Sequence, residues 1–201
     1  NGYSRVSVPH DWAIAGPYSP DQPGDTAKLP WKGRGEYERT FRIDGAALAD
    51  GGRCYLEFDG VMARPQVYLN GIKVGGWDYG YMSFCIDATD AAKTGENLLR
   101  VTADTTEMKS RWYPGAGLYR SVRLVVAKRG EAVPGTAVVE TVSLTDERAV
   151  VRLSCDLVGG GRFEKTLTID NPRRWDVEDP FLYSFDVCGQ KVRYGLRAAA
   201  F

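Results

Sequence analysis

The sequence predicts an all-β fold in two domains, on three observations. Apolar and polar residues alternate with period two over many short runs. Turn-forming residues recur about every ten positions, and no stretch of helical length carries an i, i+3, i+4 apolar stripe with caps. The 201 residues suffice for one large core or two modest ones.

Taken in order, the first set of strands is predicted at Tyr37–Ile43, Arg53–Phe58, Gln66–Leu69, Ile72–Val74, Met82–Ile86, Asn97–Ala103 and Tyr119–Ala127. Between the third and fourth stands Asn70-Gly71, a pair that accepts the two positive φ angles of a type I′ turn, so a tight hairpin is expected there. The only helix-like pieces, "GAALAD" and "TDAAKTG", are about one turn each. In "SRWYPGAGLYRSVRLVV" the Pro114-Gly115-Ala116-Gly117 run is read as a tight turn. It would let Leu118 enter a core strand and keep Arg111, Trp112 and Tyr113 at the edge, with Arg123 a bystander further along.

After Lys128 the pattern breaks. "RGEAVPG", residues 129–135, is a charged, Pro- and Gly-bearing connector without an apolar face, and the natural place for a protease to cut. New strands follow at Thr136–Leu144, Ala149–Leu157, Phe163–Ile169, Leu182–Cys188 and Lys191–Tyr194, with "VGGGR" as a hairpin turn and "DNPRRWDVEDPF" as a Pro-punctuated connection. The domains are therefore 1–129 and 130–201. The second is small for a seven-stranded immunoglobulin-like sandwich, and a trimmed version of that plan is expected.

Composition removes several function classes. Lys plus Arg equals Asp plus Glu at 26 each, so no excess charge supplies the phosphate attraction of a nucleic-acid binder. The longest apolar runs fall far short of the roughly 20 residues of a membrane span, and the N-terminus does not read as a signal peptide. "NGYSRVSVPHDW" opens without an initiator Met and reads as a start inside a longer protein. Cys54, Cys85, Cys155 and Cys188 are widely spaced in strand-like segments, which fits free thiols packed as small apolar groups and does not fit a zinc site. The lone His10 and its neighbour Asp11 suit a turn or cap better than a catalytic triad, since no nucleophile elbow is present. Neither a phosphate-cradling loop nor a dinucleotide fingerprint follows a strand, so no cofactor and no metal is implied.

The aromatic residues are the better functional signal. Trp12, Tyr18, Trp31, Trp77, Tyr79, Tyr81, Trp112, Tyr113 and Trp175 mostly sit beside Gly, Pro or charged residues. Flat rings in loops stack on the apolar face of a pyranose while polar neighbours orient it. Trp12 and Trp175 are instead expected to close the ends of a sandwich core. The carboxylates in "ADTTEM", "GGWDYG" and "WDVEDP" lie beside such rings, but spacing alone does not pick out a catalytic pair.

Five segments in order, "VSVPHDWAIAGPY", "LPWKGRGEYERTF", "LEFDGVMARPQVYLNGIKVGGWDYGYMSFCID", "GENLLRVTAD" and "SRWYPGAGLYRSVRL", resemble the N-terminal jelly-roll (galactose-binding-like) domain of glycoside hydrolase family 2. That group comprises β-galactosidases, β-glucuronidases and β-mannosidases. "RRWDVEDPFLYSFDV" and "VRYGLR" resemble the closing strands of the immunoglobulin-like domain that follows it. The resemblance implies a jelly roll over 1–129, lacking an opening strand, and an immunoglobulin-like sandwich over 130–201. It places both catalytic glutamates in a TIM barrel downstream, so no residue of this chain is expected to be catalytic.

By the same resemblance, two loops help to shape the sugar pocket. Asp104, Arg111 and Trp112 belong to one, and Trp31 and Lys32 to the other. Relatives often carry Asn where this chain has Thr105, which leaves the preferred sugar open. The expected partners are a β-glycoside carbohydrate and the parent's own barrel, with neither nucleic acid nor membrane. Two further readings stand beside this one: a lectin-like carbohydrate-binding module, and a scaffold through which a homo-oligomer assembles.

Overall fold

The computed structural model describes residues 2–197. Twelve strands lie among them: β1 Arg34–Ile43, β2 Arg53–Phe58, β3 Gln66–Leu69, β4 Ile72–Gly76, β5 Phe84–Asp87, β6 Gly95–Asp104, β7 Val122–Ala127, β8 Val138–Leu144, β9 Arg148–Asp156, β10 Arg162–Asp170, β11 Tyr183–Val187 and β12 Gln190–Tyr194. The chain divides into two compact units. One takes in the chain up to Leu48 together with Cys54–Val126, the other Ala49–Arg53 together with the chain from Ala127 onward.

In the first unit one sheet runs β1-β6-β3-β4 and another β5-β2-β7. Alternation produces the sandwich directly. Along β6, Asn97, Leu99, Val101 and Ala103 are buried while Glu96 and Leu98 are exposed. Cys54, Leu56 and Phe58 of β2 and Phe84 and Ile86 of β5 meet these side chains and those of Val67 and Leu69 in one core.

The β3–β4 hairpin turns at Asn70 (φ 52°) and Gly71 (φ 84°), the two positive angles expected of that pair. Asn70 does more than turn the chain. Its Nδ2 donates to the Ala91 carbonyl and to Asn97 Oδ1, both at 2.8 Å, and its Oδ1 accepts from Leu98 N at 3.0 Å. The buried Asn97 amide in turn donates to Lys93 O and Gly95 O, so the polar groups enclosed at this corner have partners.

Several expectations need correction here. β1 begins at Arg34 rather than Tyr37, and β5 spans Phe84–Asp87 rather than starting at Met82. β7 begins at Val122 rather than Tyr119. Pro114–Leu118 is not a tight turn but a buried rung between two other segments. His10 N and Trp12 N donate to Leu118 O and Ala116 O on one side, and Gly117 exchanges both backbone bonds with Met62 on the other. Gly115 (φ 93°) and Gly117 (φ 101°) interrupt regular strand geometry, which is why β7 starts late although Leu118 is already in the core. A Cβ on Gly117 would collide with Tyr37 Oη, so the close approach requires glycine. Arg123 is no bystander: its guanidinium donates to Asp59 Oδ2 at 2.8 Å and to Glu57 Oε2 at 3.3 Å.

The second unit has a sheet of order β10-β9-β8 and the hairpin β11-β12. Its core is carried by Ala149, Val151, Leu153 and Cys155, alternate residues of β9, with Val139, Val187 and Leu196. The connector expected to be open to proteolysis is tied to this unit. Ala132 is buried and bridges to Leu157, while Val133 N donates to Asp156 O at 2.8 Å. Cys188 is not in a strand. It forms, with Gly189, a second turn with two positive φ angles (49° and 88°) between β11 and β12. Trp175 packs its ring against Gly195, where a Cβ would meet it at 2.8 Å.

Candidate carbohydrate-facing edge

Antiparallel pairing decides where the two loops expected to shape a sugar pocket emerge. β1 and β6 are in register from Arg34 opposite Asp104 to Ile43 opposite Gly95, so residues just before β1 and just after β6 leave the sheet at the same end. Thr105 then fastens them together. Its hydroxyl donates to Trp31 O at 2.8 Å and accepts from Gly33 N at 3.0 Å, and its backbone N–H donates to Gly33 O at 2.9 Å. Thr105 is fully buried, so its side chain is a latch between loops rather than an open contact.

Asp104 has both carboxylate oxygens engaged. Oδ1 accepts from Thr106 N at 2.9 Å, and Oδ2 accepts from Arg34 Nε at 2.6 Å. The bond from Thr106, helped by Arg34, holds its carboxyl below the usual carboxylate range. Asp104 therefore stands ionised at the rim, part-exposed, and offers acceptor lone pairs that two donors do not exhaust.

Trp31 is corrected from a stacking face to a floor. It is 2% exposed and packs with Ala13 and Ala116 beneath Met108 and Tyr113. The flanking Pro30 and Gly33 suggested an exposed loop, but the ring turns inward under the loop that follows β6. Lys32 stays exposed, its ammonium 5.9 Å from the Trp31 ring centroid.

Arg111 and Trp112 are both exposed, and Trp112 is 59% accessible. Ser110 Oγ brackets the Trp112 backbone, donating to its carbonyl at 2.7 Å and accepting from its N–H at 3.2 Å. The indole N–H donates to Tyr81 Oη at 2.8 Å, which satisfies the ring's polar atom and leaves its faces apolar. Next to it, Tyr113 turns down. Its hydroxyl donates to Asp11 Oδ1 at 2.6 Å and is held well above the usual phenol range, by burial first and by Asp11 second.

Asp11 is the joint of this region. Oδ1 also accepts from Ala13 N (3.0 Å) and Ile14 N (3.2 Å), and Oδ2 accepts from Ala116 N (3.1 Å). His10, its neighbour, shares a hydrogen bond of 2.9 Å with Tyr37 Oη. Asp11 thus fills the expected turn role through Ala13 and Ile14 and in addition ties residues 11, 113 and 116 together.

A second aromatic group, Trp77, Tyr79 and Tyr81, adjoins Trp112 through Tyr81. Tyr79 and Tyr81 meet edge-on at 5.7 Å, and Trp77 stacks on Phe84 at 5.9 Å, which stacks on Phe58 at 4.7 Å. Tyr79 and Trp77 are 57% and 41% exposed; Trp112, Tyr81 and Tyr79 are linked ring to ring, while Trp77 stands on the core through Phe84. The signal for it was the run "GWDYGYMSF". Among the described residues no group of three or more His, Cys, Asp or Glu side chains is arranged to hold a metal ion, and no helix is long and apolar enough to cross a membrane.

Known proteins resemble this chain over most of its length. Residues 14–113 match the family description "Glycosyl hydrolase 2 galactose-binding domain-like". The β-galactosidase BoGH2A of Bacteroides ovatus is 35% identical over 92% of this chain and 26% of its own length. A β-glucuronidase of Bacteroides fragilis is 27% identical over 91% of this chain and 32% of its own. The crystal structure of a glycosyl hydrolase family 2 member from Bacteroides cellulosilyticus superimposes on the whole chain with a TM-score of 0.81 at 25% identity, using 33% of that protein. The chain thus spans about a third or less of each of these relatives. With the fold, the ordered segments and the matched domain in agreement, the chain belongs to glycoside hydrolase family 2 and carries its galactose-binding-like N-terminal region.

Proposed function

We propose that this chain is the non-catalytic part of a β-galactosidase-like family 2 enzyme, a jelly roll and an immunoglobulin-like sandwich. Its loops 31–33 and 104–113 would shape the sugar pocket of a catalytic barrel. One observation carries the reading: Thr105 latches both loops at one end of the β1–β6 ladder while Arg111 and Trp112 stand exposed from it. Arg111 supplies up to five fixed donors for hydroxyls, Asp104 an ionised acceptor, and Trp112 a flat apolar face.

The test uses the full-length parent. Arg111→Ala and Trp112→Ala should each lower kcat/KM on an aryl β-galactoside by roughly tenfold or more, about 1.4 kcal/mol. A rise in KM alone would mark contacts shared by ground and transition states, and a fall in kcat would mark contacts made chiefly in the transition state. If both variants keep wild-type kcat/KM, the edge is packing and the reading fails.

A further inference from the structure

The four cysteines fall into two contrasting pairs. Cys54 of β2 is buried in the first core, whereas Cys85 of β5 is exposed and opposes Glu57 across the ladder. These two sulfurs lie on opposite faces of one sheet and do not meet. Cys85 is also a poor nucleophile, because partial burial and the carboxylates of Glu57 and Asp87 push its thiol up to about 11.

Cys155 and Cys188, by contrast, share one core. Cys155, near the end of β9, is fully buried, and Cys188, in the β11–β12 turn, is half-buried and packs against the same core cluster. A short strap links the two segments that carry them. Ala132 N donates to Cys188 O at 2.9 Å, Ala132 bridges to Leu157, and Val133 N donates to Asp156 O at 2.8 Å. The Cys188 turn is thereby tied to the end of β9, two residues beyond Cys155, and both cysteines pack in one core cluster.

We propose that Cys155 and Cys188 form an oxidative modification site, a cystine joining the β11–β12 turn to β9 in the presence of a low-molecular-weight disulfide. The roles are set by position. Cys188, at the surface turn, attacks as thiolate on one sulfur of oxidised glutathione, giving a mixed disulfide and one reduced glutathione. Cys155 then attacks the Cys188 sulfur, its proton passing to the departing glutathione sulfur, which leaves as the second reduced glutathione. Two thiols are oxidised and one glutathione disulfide is reduced, so the electrons balance. Burial, with the neighbouring Cys188 thiol, pushes Cys155 up to about 11, which makes it the slower, resolving partner. Closing the bond brings the sulfurs to about 2.0 Å.

The experiment incubates the 201-residue chain with oxidised glutathione, then labels the remaining thiols with N-ethylmaleimide in denaturant for intact-mass and peptide analysis. The expected result is a Cys155–Cys188 linked peptide pair that dithiothreitol reverses, and a melting temperature raised by roughly 5 °C or more. Cys155→Ala should trap glutathione on Cys188, and Cys188→Ser should abolish both the cross-link and the thermal shift. Maleimide on both Cys155 and Cys188 of the oxidised chain would overturn the proposal. So would glutathione retained on wild-type Cys188, or a cross-link drawn from Cys54 or Cys85.

Discussion

Trp31 and Trp112 sit in loops of similar composition, each within two residues of a proline and beside a basic residue, and the fold uses them in opposite ways. Trp31 is 2% exposed and Trp112 is 59% exposed. The difference lies in the backbone immediately C-terminal to each ring. At and after Trp31 the backbone is drawn to Thr105 by four hydrogen bonds, and the indole packs with Met108 and Tyr113. After Trp112 the chain descends into the rung at Pro114–Leu118, anchored by Asp11, and Trp112 is left outside with its N–H tied to Tyr81. A ring's role is set by the backbone bonds beside it, not by the residues that flank it in sequence.

The sharpest way to break this contrast is Trp31→Ala. Removing a buried indole should cost about 3–5 kcal/mol in chemical denaturation; a loss below about 1 kcal/mol would show that the ring is not a floor. Next is Thr105→Val, which keeps the shape and deletes the hydroxyl. Trp31 O and Gly33 N lose that partner, and a loss of about 1–3 kcal/mol is expected, with Thr105→Ser recovering most of it.

A smaller effect is expected from acid. Asp104 has a native pKa below its usual value of 3.8, so the unfolded chain takes up the proton first. Its contribution is complete above the unfolded value and is lost as pH falls through the native one. Asp104→Asn should therefore flatten the stability profile below about pH 4 and leave its shape unchanged between about pH 6 and 8. Last, Trp112→Ala should leave stability within about 0.5 kcal/mol of wild type, the usual range for a surface position. A larger loss would place Trp112 with Trp31.

The sequence carried the strands and the β3–β4 turn because those are local. Period-two burial shows along β6, and Asn70-Gly71 announces its own backbone angles. The turn at Cys188-Gly189 has the same angles but was hidden, because a cysteine after alternating residues reads as one more strand position. The rung at 114–118 was also hidden. Pro-Gly-Ala-Gly looks like a turn, and only residues about fifty and a hundred positions away, Met62 and His10–Trp12, make it a paired and buried segment. At the edge, Arg111 and Trp112 stood where composition suggested. Thr105 did not, since its importance lies in two backbone groups some seventy residues upstream, Trp31 O and Gly33 N.

The Asp11 carboxylate has a consequence for how this edge changes over time. One side chain, on a segment away from the exposed edge, fixes residues 113 and 116 by accepting from the Tyr113 hydroxyl and the Ala116 amide. Positions 111 and 112 hang from that frame without belonging to it. Substitutions there alter what the edge presents while the joint below keeps its geometry. On the proposed reading of this edge, diversity should gather at 111 and 112 in a selection for altered specificity of the parent, and Asp11 should stay fixed.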